Sequence, residues 1–170
     1  MRWMLTGALA LAGCAATQTA VPGGAPMPAE ATTITYETSP CFGACPVYSV
    51  TVRPDGTGTF EGRRFTAVEG ARAFQAGPEA YRRFAAALAP HRPAGERLLQ
   101  PGQPGCENAP TDMPGVDVRW RDAGGGGAHL VFYGGCRMGN EALAEAVRAA
   151  PDALPIAAFI GPRDAFIGRR

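Results

Sequence analysis

Five cysteines carry most of the chemistry that this 170-residue sequence can offer. Two of them stand in the compact run Cys41-Phe42-Gly43-Ala44-Cys45-Pro46, and Cys106 and Cys136 bracket a later stretch of alternating residues. Thiols at the spacing of Cys41 and Cys45 have three uses. They can close a small structural loop or pair with distant partners, act as a reducible dithiol, or offer thiolates to a soft metal such as Cu(I). A second compact motif is Thr111-Asp112-Met113-Pro114. Its aspartate can accept from nearby backbone N–H groups while the proline sets the turn into the next segment. Read as one of a catalytic carboxylate pair, Asp112 has only Glu107 and Asp117 near it in sequence, and neither stands in a paired context. The two histidines, His91 and His129, lie in no metal-ligand spacing, and His129 falls within an alternating run, where a packed or solvent-facing role is the ordinary one.

The fifth cysteine has a different setting. Arg2 precedes an apolar run from Trp3 to Ala12, which is too short to cross a bilayer but fits the apolar core of a cleaved signal. The run ends in Leu11-Ala12-Gly13-Cys14, the pattern of a bacterial lipobox. Residues 1–13 therefore read as a lipoprotein signal peptide and Cys14 as the lipidated, palmitate-bearing first residue of the mature chain. Residues 14–32, rich in Ala, Pro and Gly, read as a tether, and 33–170 as a single domain. Such a chain folds outside the cytosol, where disulfides persist. With Cys14 acylated, four cysteines remain, an even number with three possible pairings. The local pairing, 41–45 and 106–136, is the more economical, and cross-pairing such as 41–106 stays open.

Several activities are excluded. The formal net charge is +1, so no basic field points to nucleic acid. All sixteen basic residues are arginine, which removes Schiff-base chemistry and a Walker-type phosphate loop. Only Ser39 and Ser49 could serve as nucleophilic serines, and neither sits in a G-x-S-x-G elbow. The glycine run 124–127 lacks a following Lys-Ser/Thr and reads as a hairpin tip. Nothing implies a cofactor.

The elements that must position these residues follow from periodicity. Ile34 and Tyr36 alternate with polar neighbours over Thr33 to Thr38, as in a half-buried strand. Tyr48, Val50 and Val52 alternate again, Pro54-Asp55-Gly56 supplies a turn, and Thr57 to Glu61 returns as a partner strand. A third strand is predicted over Arg64 to Val68. Pro78 opens a helix in which Tyr81, Phe84, Ala85 and Leu88 share one face, and Pro90 and Pro93 end it. A loop rich in Pro and Gly is predicted to run to about Gly115. Val116 to Arg121 and His129 to Tyr133 form a second hairpin. Asn140 caps a helix carrying Leu143 and Val147, Pro151 closes it, and 154–160 forms a short apolar helix. With hairpins, helices and no βαβ period, the fold class is α+β: an antiparallel sheet built from hairpins with two or three helices packed on it.

Two resemblances attach to these residues. Cys-x-x-x-Cys-Pro is similar to the copper-binding motif of the SCO family of thioredoxin-fold copper chaperones. In that fold the motif opens a helix and a distant histidine completes the site, whereas here Pro46 leads directly into the Tyr48–Val52 alternation. More of the chain resembles the bacterial domain of unknown function 6438. The shared residues are Ile34-Thr35-Tyr36, Cys41 to Val50, Asp55-Gly56-Thr57, Phe60-Glu61-Gly62, and then Thr111, Asp112 and Pro114, spanning roughly 34–121. Many members of that family look secreted or lipid-anchored, and no activity comes with the resemblance.

The expectation is a non-enzymatic, disulfide-stabilised binding or structural module of the cell envelope. It is held at the membrane by its N-terminal lipid, at the outer membrane because Ala15 rather than Asp follows Cys14, with an envelope protein or ligand as partner. The competing expectation is a periplasmic thiol-redox or copper-handling protein using Cys41 and Cys45.

Overall fold

The structure, a computed structural model, describes residues 32–162. The signal-peptide, Cys14 and tether expectations lie outside the described residues, except that Thr32 already belongs to the first strand. A sheet of seven strands carries three helices on one face. The strands are β1 (Thr32–Thr38), β2 (Val47–Val52), β3 (Thr57–Arg64), β4 (Gly70–Gln75), β5 (Glu96–Leu99), β6 (Gly115–Asp122) and β7 (Gly127–Tyr133). The helices are α1 (Gly77–Leu88), α2 (Glu141–Ala149) and α3 (Ala157–Ile160). The spatial order is β4-β3-β2-β1-β6-β7-β5, and every pair is antiparallel except β5 with β7. The fold is α+β, as the periodicity implies.

Alternation sets which face is buried. Ile34, Tyr36, Val50, Val52, Phe60, Val118, Trp120, Leu130 and Phe132 point to the helices and form the core with Tyr81, Phe84 and Leu88 of α1, Leu143 and Val147 of α2, and Ile160 of α3. The Tyr36 hydroxyl donates to the Val147 carbonyl (2.9 Å), tying the central strand to α2 without leaving a buried hydroxyl unpaired. The opposite face carries the intervening polar residues, among them Thr35, Thr51, Glu37, Asp117, Arg119 and His129.

The β2–β3 turn shows why Asp55-Gly56 is needed. Asp55 Oδ1 accepts from the Thr57 N–H (2.8 Å), and Gly56 adopts φ +80°. A Cβ on Gly56 would come within 2.2 Å of the Gly77 backbone, so the turn is seated on the start of α1.

Three expectations need correction. The strand after the first hairpin is β4, Gly70–Gln75, and not Arg64–Val68. Arg64 ends β3, and the residues after it connect β3 to β4, with Phe65 at φ +55° and the Ala67 and Val68 N–H groups bonded to α3 carbonyls. The long Pro/Gly loop contains β5, whose Glu96–Leu99 pair in parallel with His129–Phe132. The Asn140 side chain makes no capping bond to α2. It donates instead to the carbonyls of Cys136 (2.9 Å) and Gly105 (3.1 Å), bridging the segments that the second disulfide joins.

Candidate functional site

Both compact sequence motifs stand at the same end of the sheet. β1 ends at Thr38 and β2 begins at Val47, so the Cys41–Cys45 segment caps that edge of the hairpin, closed by the Cys41–Cys45 disulfide. β6 begins at Gly115, and its register sets Thr38 opposite Val116, which carries the Thr111–Pro114 segment to the same place. Backbone bonds then lock the two together. The Phe42 N–H donates to the Asp112 carbonyl (3.1 Å), the Ser39 N–H to the Gly115 carbonyl (2.9 Å), and the Gly115 N–H to the Ser39 hydroxyl (2.7 Å).

Asp112 therefore contributes through its backbone. It sits at φ +65°, a conformation that Asp tolerates, and its carboxylate accepts from the Thr111 hydroxyl (3.1 Å) instead of capping backbone N–H groups as expected. The Tyr133 hydroxyl supports the segment, donating to the Pro110 carbonyl (3.0 Å) and accepting from the Met113 N–H (2.9 Å). Neither Glu107 nor Asp117 pairs with Asp112: Glu107 accepts from the Gly105 N–H, and Asp117 stands on the open face of the sheet.

Beneath the two motifs lies a cleft of about 460 Å³ between the end of the sheet, α2 and α3. Cys45, Pro46, Met113 and Pro114 line its motif side, Tyr48, Val116 and Phe132 its floor, and Ala144, Val147 and Ile160 its helical wall. Its charged lining residues are both arginines, Arg137 and Arg148. The Thr38 hydroxyl is already used, donating to the Pro46 carbonyl (2.8 Å) and accepting from the Tyr48 N–H (3.0 Å). Phe42, within the disulfide loop, is 88% exposed. Of these residues, α2's Val147 was visible as part of an apolar face. Ile160 was visible as the end of the apolar stretch 154–160, whereas Ala144, Arg137 and Arg148 carried no signal in sequence.

The Cys106–Cys136 disulfide is separate and buried, joining the segment after β5 to the turn after β7. Cys45 is followed by a strand, so no helix N-terminus stands beside the thiols to depress their pKa as in a thioredoxin-like site. Among the described residues no cluster of three or more His, Cys, Asp or Glu side chains is arranged to hold a metal ion.

His129 is on the open face, where its ring bridges two carboxylates: Nδ1 to Glu96 (2.8 Å) and Nε2 to Asp117 (3.0 Å). The Asp117 hydrogen bond chiefly holds its pKa above the ordinary imidazole value; partial burial opposes this and Glu96 reinforces it. The folded ring thus binds its proton more tightly than the unfolded chain does. The resulting stabilisation is fully present below the unfolded value of roughly 6.5 and is lost as pH rises through the raised folded value. The expected result is a melting temperature that declines as the pH rises above roughly 6.5, a decline that His129→Gln removes. Parallel pH profiles for the two proteins would refute the bridge.

These features define a class of protein: a two-layer α+β domain, bonded by two disulfides, whose sheet end and helices enclose an apolar cleft under two motif loops. The family model described as Domain of unknown function (DUF6438) matches residues 32–153, and the chain belongs to that family. The match extends past residue 121, where the sequence motifs stop, and takes in β7, α2 and Cys136. No curated protein and no solved structure matches the chain.

Proposed function

We propose that this chain is a non-enzymatic binding module of the bacterial cell envelope. In this reading it is displayed on a lipid tether from Cys14, with the apolar cleft as its binding site and an envelope ligand or protein as its partner. The observation that carries the reading is the convergence of Cys41–Pro46 and Thr111–Pro114 on one cleft mouth. Residues about seventy positions apart are held there by backbone hydrogen bonds, and Cys45, Pro46, Met113 and Pro114 of the two motifs line the cleft. Ala15 after the acylated cysteine supports the outer membrane as the address, and residues 14–31 supply the tether. No helix among the described residues is long and apolar enough to cross a membrane, so in this reading attachment rests on the N-terminal lipid.

Intact mass of the chain extracted from the envelope of an expressing bacterium tests every part, with copper and zinc assayed on the same sample. The expected species begins at an acylated Cys14, holds Cys41, Cys45, Cys106 and Cys136 as two disulfides that survive mild reductant, and binds no metal. Cys14→Ser should abolish the acyl mass. An unacylated wild-type chain would overturn the anchor. Reduced Cys41 and Cys45 with bound copper would make this a redox or metal-transfer protein instead.

A further inference from the structure

Resting on the reading of the cleft as a binding site, we propose that its ligand is a single-chain alkyl carboxylate, with the chain in the cleft and the carboxylate on Arg137. Three observations lead there. The cleft's volume, about 460 Å³, lies within the roughly 300–1,000 Å³ of small-molecule sites. Its interior is apolar and its polar groups are already paired: the Thr38 hydroxyl with Pro46 and Tyr48, and the Tyr36 hydroxyl with Val147. A ligand group buried there gains nothing from being polar and would leave its own donors and acceptors unpaired, which disfavours a sugar or a peptide backbone.

The third observation is charge. Both charged residues lining the cleft are cations, and guanidinium matches a carboxylate in a forked, charge-assisted geometry. Arg148 gives its Nε and Nη2 to both Glu145 oxygens, which leaves Arg137, in an ion pair with no described residue, as the cation for a ligand; neither Glu145 nor Glu141 lines the cleft. The Glu141 carboxylate is turned to the Gly139 N–H (2.9 Å). The apolar surface also continues outward. Met113, which lines the cleft, is 40% exposed, and Phe42, 88% exposed, is on the loop whose backbone is bonded to Asp112. Such surface can cover a chain emerging from the cleft, as alkyl groups gain by leaving water.

A second hollow of similar volume, lined by Glu37 and Asp117, has the opposite character. Glu37 pairs there with Arg63, and Asp117 Oδ2 with Arg119 and His129, while Asp117 Oδ1 is buried without a hydrogen-bond partner, so the hollow suits a donor and not a carboxylate.

The test is calorimetric titration of the full chain carrying Cys14→Ser, which has no lipid of its own, with dodecanoate and with dodecyltrimethylammonium, both below their micellar concentrations. Dodecanoate should bind at one site. Arg137→Glu, at an exposed position where folding is not at risk, should weaken it by about tenfold or more. Ala144→Trp should block the cleft and abolish binding while the far-ultraviolet circular dichroism stays native. If both amphiphiles bind equally and Ala144→Trp blocks both, the carboxylate assignment fails and the binding module stands. Dodecanoate binding that neither variant changes places the ligand elsewhere and overturns the inference. If neither amphiphile binds, the inference fails, and the module reading then stands or falls on the intact-mass result.

Discussion

Replacing Cys106 and Cys136 together with alanine is expected to lower stability by about 3–4 kcal/mol, whereas the same change at Cys41 and Cys45 costs about 2 kcal/mol. The difference follows first from loop length. The two bonds span sequence separations of 30 and 4, and the longer closure removes more freedom from the unfolded chain. Burial adds to it: Cys106 and Cys136 are 4% and 2% exposed and belong to the core, so losing their sulfurs also leaves unfilled space. Thermal melting should show a drop on the order of 10 °C for the first pair and a clearly smaller one for the second. The reverse ranking would mean that the Cys41–Cys45 loop, with its bonds to the Thr111–Pro114 segment, is the more important brace of the fold.

Phe60→Ala is the second large effect, expected to cost about 3–5 kcal/mol. Phe60 is fully buried on β3, its ring 5.4 Å from Tyr48 and 5.5 Å from Phe159 between centroids. Two rigid neighbours on different elements cannot both move into the vacated volume, so the cavity remains. Tyr48 also lines the cleft, so the same change should loosen its floor. Urea unfolding reads the stability loss. A midpoint unchanged within error would show that the site repacks, and Phe60→Leu should recover most of the difference.

How far the structure could be read in advance depended on whether each element's signal was local. β1, β2, β3, β6 and β7 have one face in the core and one in water, and that difference is written as alternation at Ile34, Tyr36, Tyr48, Val50, Val52, Val118 and Leu130. β4 is an edge strand whose residues are nearly all exposed, so Gly70-Ala71-Arg72-Ala73 has no buried face to reveal it. β5 has four residues and one buried side chain, Leu99, and it exists because β7 offers it a parallel partner far along the chain. The Cys41–Pro46 and Thr111–Pro114 motifs were individually conspicuous. Their meeting was not, because it depends on the β1–β6 register, a pairing across some eighty residues that no local pattern encodes. Arg137 and Arg148 were hidden for the same reason: on a turn and a helix, an arginine that lines a cleft looks like any solvated one.

Thr32 opens β1 and Thr38 stands at the cleft, so a strand of seven residues separates the two by roughly 20 Å. A leader of residues 14–31 adds, at full extension, no more than about 60 Å. Under the proposed anchor at Cys14, the cleft could reach any point within a hemisphere of up to about 80 Å radius. Confinement to that volume would set the encounter rate by leader length and not by bulk concentration, so shortening the leader would change what the domain can reach without touching a single contact it makes.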